Sequence, residues 1–330
     1  MGVIDKTTLP DPADIAAAAK RLAGVAVRTP LINAPVLDER LRARVFLKVE
    51  TLQRTGSFKF RGAYNKISSI PPDRRAAGVV AYSSGNHAQG VAAAAKLLGM
   101  PATIVMPNDA PRLKRARTQA LGAEIITYDR NSEDRAAIGA RIASERGATL
   151  VPPYDDPLII AGQGTIGAEI VEDLRWLNLR PQIVLIGASG GGLAAGVALG
   201  ISARVPSAAL YIVEPEGFDD TLRSFASGQR ESNPRASGTL CDALMSATPG
   251  ELTFPLTREL IGQGFTVTDE EVARAVRYAF EELKLVVEPG GAIGLAALLA
   301  GKLEATDKVV VTILSGGNVD ADVFARIISA

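Results

Sequence analysis

The sequence predicts an α/β protein of two lobes, each a twisted, largely parallel sheet covered by helices, with the working site in the cleft between them. Three observations predict it. Short β-branched runs alternate with helix-period segments: 79–83 reads as a strand and 86–98 as a helix, and the pairs 102–106 with 111–121 and 124–128 with 132–145 repeat the unit. Strand–helix units at this spacing need crossover connections and therefore a parallel sheet. A second series flanks the first, with strands at 45–49, 183–187, 210–214 and 308–314 and helices at 58–67 and 191–203. Finally, 330 residues exceed what one small core needs and suit one large or two medium α/β units. The first series is assigned to a small lobe, residues 79–151, inserted into a large lobe made of residues 1–78 and 152–330. A capping box, Thr268 with Glu271 three residues on, marks the start of a further helix over 269–283.

Composition narrows the function. Hydrophobic residues make up 47% and charged residues 22%, the balance of an ordinary globular protein. Lys plus Arg and Asp plus Glu are equal at 36 each, so no basic excess points to nucleic acid. No apolar run approaches the ~18 residues of a membrane span. The single cysteine, Cys241, forms neither an internal disulfide nor a cysteine metal cluster. The first 15 residues carry acids and two prolines where a secretory signal needs a basic start and an apolar run. A cytoplasmic home, with no membrane or nucleic-acid partner, is expected.

Four loops carry chemistry. Thr55-Gly56-Ser57-Phe58-Lys59 lies between a strand and a helix. A lysine held there faces the cleft, loses solvation and becomes a nucleophilic amine. Ser83-Ser84-Gly85-Asn86-His87 opens a helix at a strand's C-terminal end, where free N–H groups attract a carboxylate. His87 is the only histidine, which excludes a multi-histidine metal site and disfavours a Ser-His-Asp triad. In Gly187-Ala188-Ser189-Gly190-Gly191-Gly192-Leu193, consecutive glycines let backbone N–H groups close on a phosphate at a helix N-terminus. A dinucleotide could use such a turn, but the spacing is neither G-x-G-x-x-G nor a P-loop, and one phosphate monoester fits better. Leu314-Ser315-Gly316-Gly317-Asn318 ends the last strand, where a hydroxyl meets a ligand in the crevice. Separately, Glu214-Pro215-Glu216-Gly217-Phe218-Asp219-Asp220 offers carboxylates and a loop carbonyl suited to a hard cation.

Taken in order, LKVETLQRTGSFKFRGAYNKI, SSGNHAQGVA, PYDDPLIIAGQGTIGAEI, SGGGL and LSGGN resemble the fold-type II pyridoxal-phosphate enzymes. Within that class they are similar to the serine/threonine dehydratase and serine racemase branch, which includes 3-hydroxyaspartate dehydratases. The resemblance runs from about residue 15 to the end. Two features depart from it: Ser189 stands where many relatives have glycine, and the chain ends at Ala330 without the regulatory domain of biosynthetic threonine dehydratases, so feedback control through such a domain is not expected.

The resemblance implies the following roles. Lys59 carries pyridoxal 5'-phosphate as a Schiff base and takes the substrate's Cα proton, with the ring beside Phe58. Asn86 bonds the cofactor's 3′ oxygen, Ser189, Gly190, Gly191, Gly192 and Leu193 hold its phosphate, and Ser315 faces the pyridine nitrogen. A neutral hydroxyl there makes the ring a weaker electron sink, which suits β-elimination better than transamination. Ser83, Ser84, Asn86 and His87 surround the substrate carboxylate, and Ser84 is the acid/base opposite Lys59. The implied reaction removes water from a β-hydroxy amino acid of the L-threonine/L-serine type, giving a 2-oxo acid and ammonia. The alternatives are a 3-hydroxyaspartate dehydratase, with Arg135 pairing a second carboxylate, and a serine racemase on the same site. Glu214, the Phe218 carbonyl and Asp220 match the positions that hold Mg²⁺ (or Ca²⁺ or Mn²⁺) in metal-dependent relatives. A homodimer is expected.

Overall fold

The computed structural model describes residues 9–83, 85–110, 112–129 and 132–329. In chain order the elements are α1 (Pro12–Leu22), β1 (Leu31–Asn33), α2 (Pro35–Leu41), β2 (Arg44–Val49), α3 (Lys59–Ser68), β3 (Val79–Tyr82), α4 (Asn86–Leu97), β4 (Ala102–Pro107), α5 (Arg112–Ala120), β5 (Glu124–Tyr128), α6 (Arg135–Arg146) and β6 (Thr149–Leu150). There follow α7 (Pro157–Trp176), β7 (Ile183–Gly187), α8 (Gly192–Ser202), β8 (Ala209–Pro215), α9 (Asp220–Ser227), α10 (Thr253–Leu260), β9 (Gly264–Val267), α11 (Asp269–Glu281), α12 (Ile293–Leu299), β10 (Val309–Leu314) and α13 (Ala321–Ser329).

These form the two-lobed α/β fold expected from the sequence. Among the described residues, one sheet has the order β1-β2-β10-β7-β8-β9 and the other β5-β4-β3-β6. All pairings are parallel except β1 with β2. Strands β4, β7 and β10 are buried along their whole length, which is why they read as continuous apolar runs rather than alternating ones. β2 and β10 lie side by side, with Val45 opposite Val310 and Val49 opposite Leu314. Because β2, β10 and β7 run parallel, the loops that follow them emerge at one edge of the sheet. Those loops carry Lys59, Ser315 and the glycine turn. The core under the smaller sheet includes Phe60, Ala63 and Ile67 of α3 and Ile159 of α7.

Some boundaries moved. The helix expected over 132–145 begins at Arg135, because the Asp134 side chain accepts from the N–H groups of Ala136 (2.8 Å) and Ala137 (3.3 Å). The expected capping box is formed: Thr268 Oγ1 accepts from Glu271 N–H and Glu271 accepts from Thr268 N–H.

Helices α3, α7 and α8 meet backbone on backbone. A Cβ on Gly162 would lie 2.6 Å from Gly62 Cα, and one on Gly167 would lie 2.5 Å from the Val197 carbonyl oxygen. A buried charge network ties the same region to β2. Arg61 donates to both Glu50 oxygens (2.9 and 2.8 Å) and to Glu169 (2.7 Å), and Lys48 donates to Glu169 (2.7 Å). Arg61, Glu50 and Lys48 are all fully buried. The facing carboxylates hold the Arg61 guanidinium charged against the cost of burial.

Candidate active site

A cavity of about 170 Å³ opens between the sheets at the strand ends. Phe58, Lys59, Ser83, Asn86, His87, Arg135, Ser189, Gly190, Gly191, Gly192, Leu193 and Ser315 all line it. Ser84 lies outside the described residues. Glu214, Phe218 and Asp220 stand apart from the cavity wall, one layer behind the glycine turn: the Thr221 hydroxyl donates to the Ser189 carbonyl at 3.4 Å.

Lys59 begins α3. Its Nζ donates to the Pro153 carbonyl (2.7 Å) and sits 5.2 Å from the centre of the Phe58 ring. Burial pushes its pKa down to about 8, opposed by the charge of Glu288. An amine in that range is partly neutral near physiological pH and so nucleophilic.

The glycine turn is shaped for an anion. Gly191 has φ +94°, a conformation that disfavours side chains, and a Cβ there would lie 2.6 Å from Thr253 Oγ1. A Cβ on Gly190 would lie 2.3 Å from the Tyr154 ring. Gly191 is also the N-cap of α8 and has no side chain to cover the first N–H groups of the helix. Those groups remain available to a phosphate. Thr253 braces the turn by donating to the Gly190 carbonyl (2.6 Å). Ser189 Oγ accepts from the Ser246 N–H (3.0 Å), so the extra side chain has a partner of its own. Beside this turn Ser315 directly follows β10 and is almost fully buried, and its carbonyl accepts from the Phe58 N–H (3.1 Å).

On the opposite wall, His87 is buried with Nε2 2.9 Å from the Val151 carbonyl. A carbonyl only accepts, so Nε2 carries the hydrogen. Burial, with Lys59 nearby, pushes the imidazole down to about 3, and His87 is neutral at ordinary pH. Ser83 Oγ accepts from the Gly85 N–H at 3.2 Å and shapes the turn. Arg135 is exposed at the cavity mouth, its guanidinium 5.9 Å over the Tyr82 ring.

Sequence reasoning missed Glu288. It is buried, accepts from Asn86 Nδ2 (2.6 Å), and is pushed up to about 8 by burial, with a contribution from Asp242. Its signal was a lone acid inside the apolar run Leu285-Val286-Val287-Glu288-Pro289-Gly290-Gly291. Lys114 of α5 also lines the cavity and pairs with Asp242 across the cleft; nothing local in the sequence marks it.

Behind the site, Glu214 lies next to the end of β8 and accepts from the N–H groups of Thr221 (3.2 Å) and Leu222 (2.9 Å). Asp220 Oδ1 accepts from Asn233 (2.6 Å), while its buried Oδ2 has no hydrogen-bond partner. Burial and the Asp220 charge push Glu214 up to about 8, and burial pushes Asp220 to about 6. Two crowded carboxylates with an orphaned oxygen fit a hard divalent cation. Among the described residues, no group of three or more His, Cys, Asp or Glu side chains could hold one, so the Phe218 carbonyl and water would complete the shell.

An amine kept nucleophilic opposite an anion cradle defines an enzyme that grips an aldehyde cofactor by its carbonyl and its phosphate together. The sequence matches the family described as "Pyridoxal-phosphate dependent enzyme" over residues 22–316, and the chain belongs to that family. It falls in the serine/threonine dehydratase branch of the fold-type II enzymes. It is 45% identical to an L-threo-3-hydroxyaspartate ammonia-lyase from a Pseudomonas species, covering 96% of this chain and 97% of that one. It is 42% identical to an L-threonine ammonia-lyase from Thermotoga maritima, covering 96% and 77%. Among solved structures, maize serine racemase superimposes with a TM-score of 0.91 at 36% identity, covering 97% of each chain.

Proposed function

We propose that the chain is an ammonia-lyase that dehydrates β-hydroxy amino acids to 2-oxo acids and ammonia, and that 3-hydroxyaspartate is its preferred substrate within that class. The observation that carries the preference is Arg135. It presents an exposed guanidinium at the cavity mouth and makes no ion pair among the described residues. Threonine and serine, ranked first from the sequence, offer such a cation nothing.

When bound, the cofactor supplies the electron sink that acidifies the substrate's Cα–H. Lys59 holds the cofactor through its amine and moves the Cα proton on Nζ. The N–H groups at Gly85–His87 bind the α-carboxylate, and the Asn86 side chain meets the cofactor's 3′ oxygen. Neutral His87 keeps its Nδ1 lone pair and adds no competing positive charge beside Lys59. The N–H groups of Ser189 to Leu193 bind the phosphate, and the Ser315 hydroxyl meets the ring nitrogen without forcing it to stay protonated. Arg135 pairs the β-carboxylate. Ser84 is assigned the acid/base role on the face opposite Lys59. The likeness to maize serine racemase favours racemisation there as the second reading.

The lobes are assigned to residues 79–151 and to 1–78 with 152–330. Glu214, the Phe218 carbonyl and Asp220 are assigned a structural Mg²⁺. A cytoplasmic homodimer fits the resemblance, and no helix among the described residues is long and apolar enough to cross a membrane.

The test is a keto-acid assay over L-threonine, L-serine, D-serine and the 3-hydroxyaspartate isomers. 3-Hydroxyaspartate should give the highest kcat/KM. Arg135→Ala should lower that value by about 10- to 100-fold, the worth of a charge-assisted hydrogen-bonded pair, and leave serine within about twofold. No keto acid from any of these substrates would end the lyase reading. An equal loss on serine would end the role given to Arg135.

A further inference from the structure

We propose that Asn318 is a positioning residue that decides which end of the Asn86 amide faces the cofactor. This rests on the reading that Asn86 meets the cofactor's 3′ oxygen. The two ends of an amide side chain are nearly equal in shape, so their orientation is set by their partners. Here the partners leave one solution. Asn318 Nδ2 lies 2.7 Å from the Thr55 carbonyl, which can only accept, and therefore this end of Asn318 must be the NH₂. The same Nδ2 lies 2.8 Å from Asn86, which must present its oxygen. The Asn86 NH₂ is thereby turned to the other side, where Glu288 Oε1 accepts one hydrogen at 2.6 Å. Its second hydrogen remains for the cavity that Asn86 lines.

The chain of constraint starts in the backbone. Thr55 has φ 63° and ψ 13°, a left-handed conformation that is strained for a β-branched residue. Such a conformation persists only where the surroundings over-determine it. Gly317 N–H donates to the Gly56 carbonyl (2.9 Å), and Phe58 N–H to the Ser315 carbonyl (3.1 Å). A Cβ on Gly56 would lie 2.7 Å from Asn318 Oδ1, so a glycine is needed for Asn318 to enter. The loop that carries Lys59 and the turn that carries Ser315 are thus laced together, and Asn318 extends the lacing to α4 across the cleft.

Asn318→Asp keeps the shape and removes both donors. The substituted carboxylate faces the Thr55 carbonyl and draws the Asn86 NH₂ toward itself, turning the Asn86 oxygen to Glu288 and the cavity. Asn318→Ala removes the donors without imposing the flip. The measurements are the pyridoxal phosphate Kd, by titration of the cofactor-free protein, the pH titration of the bound cofactor's visible absorbance band, and the melting temperature. Asn318→Asp should weaken Kd at least tenfold and move the band's titration, with partial recovery at low pH as the new carboxylate takes up a proton and regains a donor. Asn318→Ala should fall between it and the unsubstituted protein. A purely structural role predicts the reverse order, Ala worse than Asp, and that order overturns the proposal. So does an unchanged Kd and band in Asn318→Asp while Asn86→Ala weakens binding. If Asn86→Ala itself changes nothing, the reading of Asn86 fails instead, and the proposal with it. If Asn318→Asp does not fold, Asn318→Ala decides: an unshifted band titration overturns the proposal, and a shifted one supports it.

Discussion

Replacing Arg61 by methionine isolates what the buried charge network contributes. Methionine occupies similar space, but both Glu50 oxygens lose their fork of donors, and of the two Oε1 keeps the Thr29 hydroxyl. Glu169 still has Lys48 at 2.7 Å. Removing one partner of a buried pair costs about 3–5 kcal/mol, because the other charge is left uncompensated. At ~2.1 cal/mol/K per residue, 330 residues unfold with an entropy near 0.7 kcal/mol/K, so Tm should fall by about 4–7 °C. Calorimetry of Arg61→Met, Glu50→Gln and the double variant reads this. The double variant should recover most of the loss, since no orphaned charge remains. A loss below about 1 kcal/mol, or no recovery in the double variant, would refute the claim that these charges depend on each other rather than on water.

Two other expectations follow from titrating groups. With Lys59 pushed down to about 8, about a tenth of the molecules carry a free amine at pH 7. Capture of pyridoxal phosphate by the cofactor-free protein should therefore quicken about tenfold per pH unit and level off near pH 8; stopped-flow rates still rising at pH 10 would mean a solvated lysine. Glu214 and Asp220 have folded-state pKa values raised to about 8 and about 6, so the stability they contribute is full below their unfolded values near 4 and is lost as pH rises toward 8. A bound cation offsets that loss, and chelator should lower Tm little at pH 5 and several degrees at pH 8. Equal effects at both pH values would count against Glu214, Phe218 and Asp220 as the ligand set.

What the sequence revealed was what local chemistry controls. The glycine turn, the lysine loop and the serine turn were legible because each sits between a β-branched run and a helix start. That they share one edge was not, since it depends on β2 pairing with β10 more than 250 residues away. Glu288 and Lys114 escaped notice because their importance lies in Asn86 and Asp242, which are remote in sequence. Helix α7 went unread although Asp156 caps it and Pro157 opens it; its glycines and unbroken apolar stretch hide the helical period. The start of α6 was misjudged because Ser132 and Asp134 are both plausible caps, and only the hydrogen bonds to Ala136 and Ala137 choose between them.

The glycine contacts among α3, α7 and α8 bear on how such an enzyme can change its chemistry. A junction of bare backbones has no rotamers to exchange, so it cannot be loosened or tightened by degrees. Any side chain gained at Gly162, Gly167 or Gly200 must pry whole helices apart. Two of those helices begin at the amine and at the phosphate cradle, so the span between these two anchors is closed to gradual adjustment. New substrates must then be accommodated by the far wall, where Arg135 and Lys114 stand on helices of the smaller sheet, and a lineage could exchange one amino acid for another there without disturbing its hold on the cofactor.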